Sequence, residues 1–395
     1  MQTAHKQTKS KVKVFRISTV SLSLNILLKG QLHYLDQYYD VTAISGNDPD
    51  LEEVREREGV AVYPITLQRQ IAPLEDLKSL IKLYNYFRKE KPEIIHSITP
   101  KAGLLSMIAG KLAGVPIRIH TFTGLVFPYK TGILQKLLIS MDKLLCYCAT
   151  NIYPEGQGVK KDLKLFKITD KPLNIIGNGN VNGIDTAHFS PDSFSVSEKA
   201  KLRQELNIEA TDFVFVFLGR LVKDKGINEL VSAFMKIQNN SSKKLKLLLI
   251  GPLEQNLDPL TPEVLQTIDL NPDIISLGFQ KDVRPYFAIG DALVFPSYRE
   301  GFPNVVLQAL SMGIPALVSD INGCNEIVED GYNGSIFPAK DEIALQKSME
   351  QILADHFYET VKANSRSSIM KYEQQVIWNL LKENYDNLLR QNGLI

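Results

Sequence analysis

Short runs of apolar and β-branched residues recur along the chain, and between them lie segments whose apolar positions repeat every three to four residues. In the first half the runs are VKVFRIS (12–18), VTAIS (41–45), EIIHSI (93–98), RIHTF (118–122), NIY (151–153) and LNIIG (173–177). In the second half they are FVFVFLG (213–219), KLLLIG (246–251), IISLGF (274–279), ALVFPS (292–297) and PALVSD (315–320). Runs this short and this apolar suit strands buried on both faces. LEDLKSLIKLYNYFRK (74–89) places Leu77, Leu80, Ile81 and Tyr84 at helical spacing, and NELVSAFMKI (228–237) does the same with Leu230, Ala233, Phe234 and Ile237. Strand and helix in alternation predict an α/β chain built of two doubly wound parallel sheets.

The most loop-like central stretch is GNGNVNGIDTAHFSPDSFSVS (177–197). Its turn-forming residues divide the chain into a first domain over 1–190 and a second over 191–370. A final helix over 371–395, with Tyr372, Val376, Leu380, Tyr385 and Leu389, is expected to pack back on the first domain.

Composition narrows the class. The chain has 395 residues, 44% hydrophobic and 23% charged, which fits two or three globular domains and excludes a disordered or fibrous chain. Three cysteines, Cys146, Cys148 and Cys324, build no disulfide framework, and no secretory start is recognisable, so the cytoplasm is expected. The longest apolar stretch, 104–119, is broken by Lys111 and Pro116 and is too short to span a bilayer. The formal net charge of +1 conceals a split: residues 1–190 hold 25 Lys and Arg against 17 Asp and Glu, and residues 191–395 hold 20 against 27. A basic half suits an anionic membrane surface, a phosphate-bearing lipid or nucleic acid, with scattered surface lysines as the other reading.

Open α/β sheets bind ligands beyond the carboxyl ends of their strands, so candidate chemistry is sought in the loops that follow them. There is no G-x-G-x-x-G after the first strand and no P-loop. GRLVKDKG (219–226) follows a strand; Gly219 allows close approach, and Arg220 and Lys225 put two cations where a helix begins, which suits a diphosphate or simply a solvated basic loop. In SYREGFPNVVLQALSMG (297–313) Pro303 is expected as the first helical residue and Gly313 as the end, leaving the amides of Gly301, Phe302, Asn304 and Val305 free to meet an anion. Glu300 before them is suited to sugar hydroxyls or to capping, and Asn304 and Gln308 share a helix face. In the first half His120 ends a strand, as do His96, Thr99 and Lys101 in HSITPKAG (96–103); each His could orient a hydroxyl or fill a structural role. The six histidines, at 5, 33, 96, 120, 188 and 356, lack metal-ligand spacing, and Asp48-Pro49-Asp50 reads as a turn, so no metal is expected.

Taken together, GRLVKDKG (219–226), PSYREGFPNVVLQALSMGIPALVSD (296–320) and EIVEDGYNGSIFP (326–338) resemble the retaining glycosyltransferases of family 4. Segments 96–124 and 175–191 resemble the bacterial surface-polysaccharide branch of that family, so the resemblance covers nearly the whole chain. It implies the GT-B architecture, two facing Rossmann-like doubly wound domains with an interdomain cleft. It also implies a hexose or N-acetylhexosamine moved from a UDP-sugar to a glycan acceptor, expected to be polyprenyl-diphosphate-linked. Arg220 and Lys225 would bind the diphosphate, Glu300 the donor sugar, and the 301–304 amides the phosphates, with Gly219, Val305 and Gln308 completing the donor site. His120 would lie near the transferred sugar, and Ser21, Ser23, Lys101 and Gly124 are candidate acceptor contacts, with Lys6, Lys9, Lys11 and Lys13 facing anionic lipid.

Two departures stand out. The family's E-x7-E pattern reads Glu300 to Gln308, and its Gly-Gly turn after the first strand is replaced by STVSLSLN (18–25). The expected partners are a nucleotide sugar, a lipid-linked glycan and the inner face of the cytoplasmic membrane, without nucleic acid. A GT-B-like UDP-sugar 2-epimerase and a non-catalytic glycosyltransferase-like partner are the alternatives.

Overall fold

The computed structural model describes residues 11–395 apart from 69–71, 255 and 257. Lys6 and Lys9 therefore lie outside the described residues. Twelve strands are described: β1 Lys13–Ile17, β2 Asp40–Ser45, β3 Ala61–Pro64, β4 Ile94–Ser97, β5 Ile117–Phe122, β6 Asn151–Pro154, β7 Phe213–Leu218, β8 Leu245–Ile250, β9 Ile274–Gly278, β10 Ala292–Phe295, β11 Ala316–Ser319 and β12 Gly334–Phe337. They form two six-stranded sheets, every pair parallel, ordered β3-β2-β1-β4-β5-β6 and β12-β11-β10-β7-β8-β9. Numbered from its own first strand, each sheet has the order 3-2-1-4-5-6. The order therefore reverses between β1 and β4 in one sheet and between β7 and β10 in the other, where doubly wound folds bind their ligands.

The chain divides into two compact units. One holds the described residues up to Glu155, then Val159–Asn182 and Gln375–Ile395; the other holds Gly156–Gly158 and Gly183–Gln374. The helix Gln374–Gln391 belongs to the first unit and buries Ile377, Trp378, Leu381, Tyr385, Leu388 and Leu389 against one face of its sheet. Of the stripe expected there, Tyr385 and Leu389 are buried while Val376 is 43% exposed. The opposite face packs under the helices Pro73–Glu90, Pro100–Ala113 and Gly132–Cys148.

Three pattern readings need correction. β3 and β12 were not expected; each has only four residues and lies at a sheet edge, where one side lacks a neighbour and Pro64 is tolerated. LNIIG (173–177) is not a strand, since it makes a single bridge from Leu173 to Ile152. Helix Pro73–Glu90 buries Ser79, Leu83 and Phe87, while Leu77 and Ile81 are 54% and 51% exposed. By contrast, Leu230, Ala233, Phe234 and Ile237 of helix Ile227–Asn240 are all buried as expected.

Polar groups penetrate the face covered by the last helix. Arg16 is 1% exposed and donates to the Tyr385 hydroxyl at 2.7 Å, with His96 Nδ1 beside the same nitrogen. His96 Nε2 meets the Thr121 hydroxyl at 2.7 Å. Burial, reinforced by the Arg16 charge, holds the His96 imidazole well below its ordinary pKa, so it is neutral.

Candidate active site

In the second unit, four loops follow adjacent strands around the reversal of strand order. The loop after β7 carries Arg220 and Lys225 and ends at Gly226, whose φ of +72° lets the chain turn directly into helix Ile227–Asn240. A Cβ on Gly226 would lie 2.2 Å from the carbonyl oxygen of Pro296, in the loop after β10. Similarly, one on Gly251 would lie 1.9 Å from the Gly219 oxygen, and one on Gly323 would lie 2.5 Å from the Gly301 oxygen. The loops after β7, β8, β10 and β11 are thus held together by backbone contacts that only glycine permits.

Asp224 joins two of these loops again. Its carbonyl accepts from the Tyr298 amide at 2.9 Å and its carboxylate from Arg299 at 2.8 Å. Lys225 forms an ion pair with Glu300, both groups less than one-fifth exposed, and Ser297 donates to the same Glu300 oxygen at 2.8 Å. Arg220, more exposed, pairs with Glu254 at 2.7 Å. Behind them the Cys324 thiol is fully buried, and burial together with the nearby Glu300 charge pushes its pKa well up, leaving it a neutral packing group.

The helix after β10 is Asn304–Ser311, with Pro303 as its N-cap at φ −76° and ψ 109°. Pro303 is therefore not the first helical residue: its ψ is extended, and the helix begins one position later. The amides of Asn304 and Val305 lie in the first turn, where no residue four positions earlier is helical and an anion is favoured. Gln308 lies one turn on, and both it and Asn304 are half-buried. Phe302 sends its ring inward against Tyr372, 5.5 Å between centroids, so only its backbone faces the loops. Gly313 takes the left-handed position after the helix, as expected.

The first unit is occupied differently. His120 is 1% exposed, accepts or donates at 2.8 Å with Ser97, and lies so close to Gly103 that a Cβ there would be 2.5 Å from its ring. Burial lowers its pKa to about 3, so it is a neutral imidazole. Ser21 is fully buried and donates to the Gly46 carbonyl at 2.8 Å, and Lys101 is 8% exposed and held by both oxygens of Asp76. Both polar groups are thus engaged inside the unit. Ser23 and Gly124 remain half-exposed, in the segments after β1 and β5. Lys11 donates to the Asp36 carbonyl and Lys13 pairs with Glu90.

Among known proteins, the family described as "Glycosyl transferases group 1" matches residues 198–375, and "Glycosyl transferase 4-like" matches 16–155. The capsular polysaccharide biosynthesis glycosyltransferase CapM of Staphylococcus aureus is 32% identical over 384 residues, covering 96% of this chain and 98% of CapM. The chain is a family 4 glycosyltransferase. An Escherichia coli relative of this glycosyltransferase, named UDP-Gal:alpha-D-GlcNAc-diphosphoundecaprenol alpha-1,3-galactosyltransferase, is 27% identical over 92% of this chain and 94% of its own length. Its fold is that of HepE from Anabaena, solved with UDP and glucose, at a TM-score of 0.80 and 18% identity over 95% of this chain and all of HepE. Sucrose-phosphate synthase from Thermosynechococcus elongatus gives 0.76 at 20% identity, over 96% of this chain and all of its own.

Two carboxylates that the structure sets near these loops escaped the sequence reading. Glu254 follows β8 in GPLE (251–254), a strand end next to β7 that marked it out by position alone. Glu326 accepts from the Gln157 and Gly158 amides, and a Cβ on Gly156 would lie 2.7 Å from its carboxylate. The spacing of EGQG (155–158) gave no hint of that partner, 168 residues away.

Proposed function

We propose that this glycosyltransferase moves a hexose or N-acetylhexosamine from a UDP-sugar, with retention of configuration, to a polyprenyl-diphosphate-linked glycan in surface-polysaccharide biosynthesis. The observation that carries the reading is the convergence of Arg220, Lys225 and the first turn of helix Asn304–Ser311 where the strand order of the second sheet reverses. Two cations and the first-turn amides of a helix suit a diphosphate, whose charge grows as the bond from the sugar to its oxygen breaks. Stabilising that charge where it develops lets the nucleoside diphosphate leave without a metal. Loss of one such stabiliser costs roughly a hundred- to a thousandfold in rate.

Glu300 accepts hydrogen bonds from donor-sugar hydroxyls once the diphosphate draws Lys225 away. Gln308 accepts from the ribose through its amide oxygen, a weaker partner than a carboxylate. The names of CapM and the Escherichia coli relative support a polysaccharide product and a lipid diphosphate acceptor. The basic first half of the chain is compatible with such an acceptor and with a peripheral place on the inner face of the cytoplasmic membrane.

The test is a thermal-shift series with UDP, GDP and their sugars, followed by transfer assays on a lipid-linked acceptor with the product anomer assigned by NMR. UDP should stabilise the protein and Arg220→Ala should weaken that effect. A preference for GDP refutes the donor assignment. Absence of transfer, with Arg220→Ala and Glu300→Ala binding UDP like the wild type, refutes the site.

A further inference from the structure

In the first unit, helix Gly132–Cys148 turns apolar side chains to solvent. Ile133 is 87% exposed, Tyr147 69%, Leu144 46%, and Leu134 and Leu137 45% each. At 100° per residue, Ile133, Leu137, Leu144 and Tyr147 fall on one line along the helix, opposite Leu138, Leu145 and Cys146, which face the core. That line is about 21 Å long at 1.5 Å per residue. A stripe of this size is more than the scattered surface leucines of any soluble protein.

The charges around it have one sign. Lys136 and Lys143 are exposed along one flank, Lys130 precedes the helix, and Lys111 places its ammonium 3.4 Å over the Tyr147 ring at the far end. The helix has a single acidic residue, Asp142, half-buried on the pole away from the stripe. At the other end the apolar surface continues into Val126 and Tyr129, 41% and 46% exposed, in the segment after the carboxyl end of β5. The stripe therefore starts at the end of the sheet where open α/β folds bind ligands.

We propose that helix Gly132–Cys148 is an interfacial docking element that lies in an anionic lipid surface. Its leucine and isoleucine side chains enter the boundary between headgroups and acyl chains, while Lys130, Lys136 and Lys143 meet lipid phosphates. An apolar line flanked by cations matches the acyl boundary and the anionic headgroups of such a surface at once. No helix among the described residues is long and apolar enough to cross a membrane, so the contact is peripheral. The inference deepens the lipid-linked-acceptor reading by naming the surface that brings the protein to its acceptor.

Co-sedimentation of the full chain with vesicles of phosphatidylcholine alone, or with about one-third phosphatidylglycerol, tests it. The wild type should be retained on the anionic vesicles only. Ile133→Ser with Leu137→Ser should weaken retention at least roughly tenfold. Lys136→Gln with Lys143→Gln should weaken it about thirtyfold, at roughly 1 kcal/mol per lysine. UDP-induced thermal shifts should stay unchanged in both variants, which checks that they fold.

No retention of the wild type, equal retention on both vesicles, or indifference to the substitutions overturns the proposal. So does a wild-type dimer that Ile133→Ser converts to a monomer, since the stripe would then be covered by a second copy. Transfer to a detergent-free, water-soluble acceptor separates the two readings. If docking is wrong, that transfer persists without vesicle binding; if the transferase reading is wrong, vesicle binding persists without transfer to either acceptor.

Discussion

Gly226→Ala isolates the backbone contact that joins the loops after β7 and β10. Two costs are added by the methyl group. The first is conformational, because Gly226 has φ +72°, and an L-residue there loses about 1 kcal/mol. The second is steric: the new Cβ would sit 2.2 Å from the Pro296 oxygen and 2.9 Å from its carbonyl carbon, so one loop has to retreat by about 1 Å or more to restore van der Waals contact. Gly331→Ala supplies the control, since Gly331 has φ +73° with nothing within 4 Å of its Cβ position. The control should lower the melting temperature by about 2–4 °C, as expected for about 1 kcal/mol in a domain of this size, and leave UDP binding alone. Gly226→Ala should show that loss and, beyond it, at least roughly a tenfold loss of UDP affinity by calorimetry, because a 1 Å displacement carries Lys225 away from its anion. Equal UDP affinity in the two variants would refute the claim that this contact sets the cation geometry.

Other outcomes follow from single contacts. At the proposed site Glu254 would compete with an incoming diphosphate for Arg220, and exposed pairs are worth about 0.2–1 kcal/mol, so Glu254→Gln should tighten UDP binding by up to about fivefold at low salt and less at high salt; weaker binding would mean that Glu254 is itself a ligand contact. Tyr385→Phe removes the hydroxyl that accepts from buried Arg16 and should cost about 1–3 kcal/mol in thermal unfolding, with the first unit affected. Burial raises the Asp142 pKa to about 7, against about 3.9 for an unfolded chain, so the folded protein retains a proton that the unfolded one has lost and stability declines as pH rises from about 4 through 7. Asp142→Asn should therefore stabilise the protein at pH 8, by less than a ceiling of ~4 kcal/mol since the group is half-exposed, and have no effect near pH 4; a gain independent of pH would refute the assignment.

Periodicity and apolar runs were enough to expose the parallel sheets, because central strands are buried on both faces and read as unbroken apolar sequence. β7 and β8 show this most clearly, with Phe213–Leu218 and Leu245–Ile250 almost wholly apolar. The same rule passes over β3 and β12, whose outer edges need no apolar run. The loops that carry Arg220, Lys225 and Glu300 were legible because they follow recognisable strands. The inward turn of Ser21, Lys101 and His120 was not legible, because the sequence does not tell which way a strand-end side chain turns. Gly46, Asp76 and Ser97, the partners that hold them inside, come from other segments of the fold. The helix Pro73–Glu90 failed for a related reason: its apolar residues exceed what one face can bury, and the helix turned Ser79 and Leu83 inward instead of Leu77 and Ile81.

The return of the last helix to the first unit has a consequence for synthesis. A ribosome releases residues 1–182 early, yet the apolar cluster formed by Val14, Leu24, Ile94 and Tyr153 is closed by Trp378, Leu381, Tyr385 and Leu389. Between them come the 192 residues of Gly183–Gln374, which at about 5–20 residues per second take roughly 10–40 s to make. The first unit to be translated is thus finished only after the second, and it must carry an open greasy face, with the Arg16 charge beneath it, until Gln375–Ile395 has been made. A chain broken off anywhere before residue 375 would display that face permanently, marking it for chaperones and proteases even when its second unit is whole.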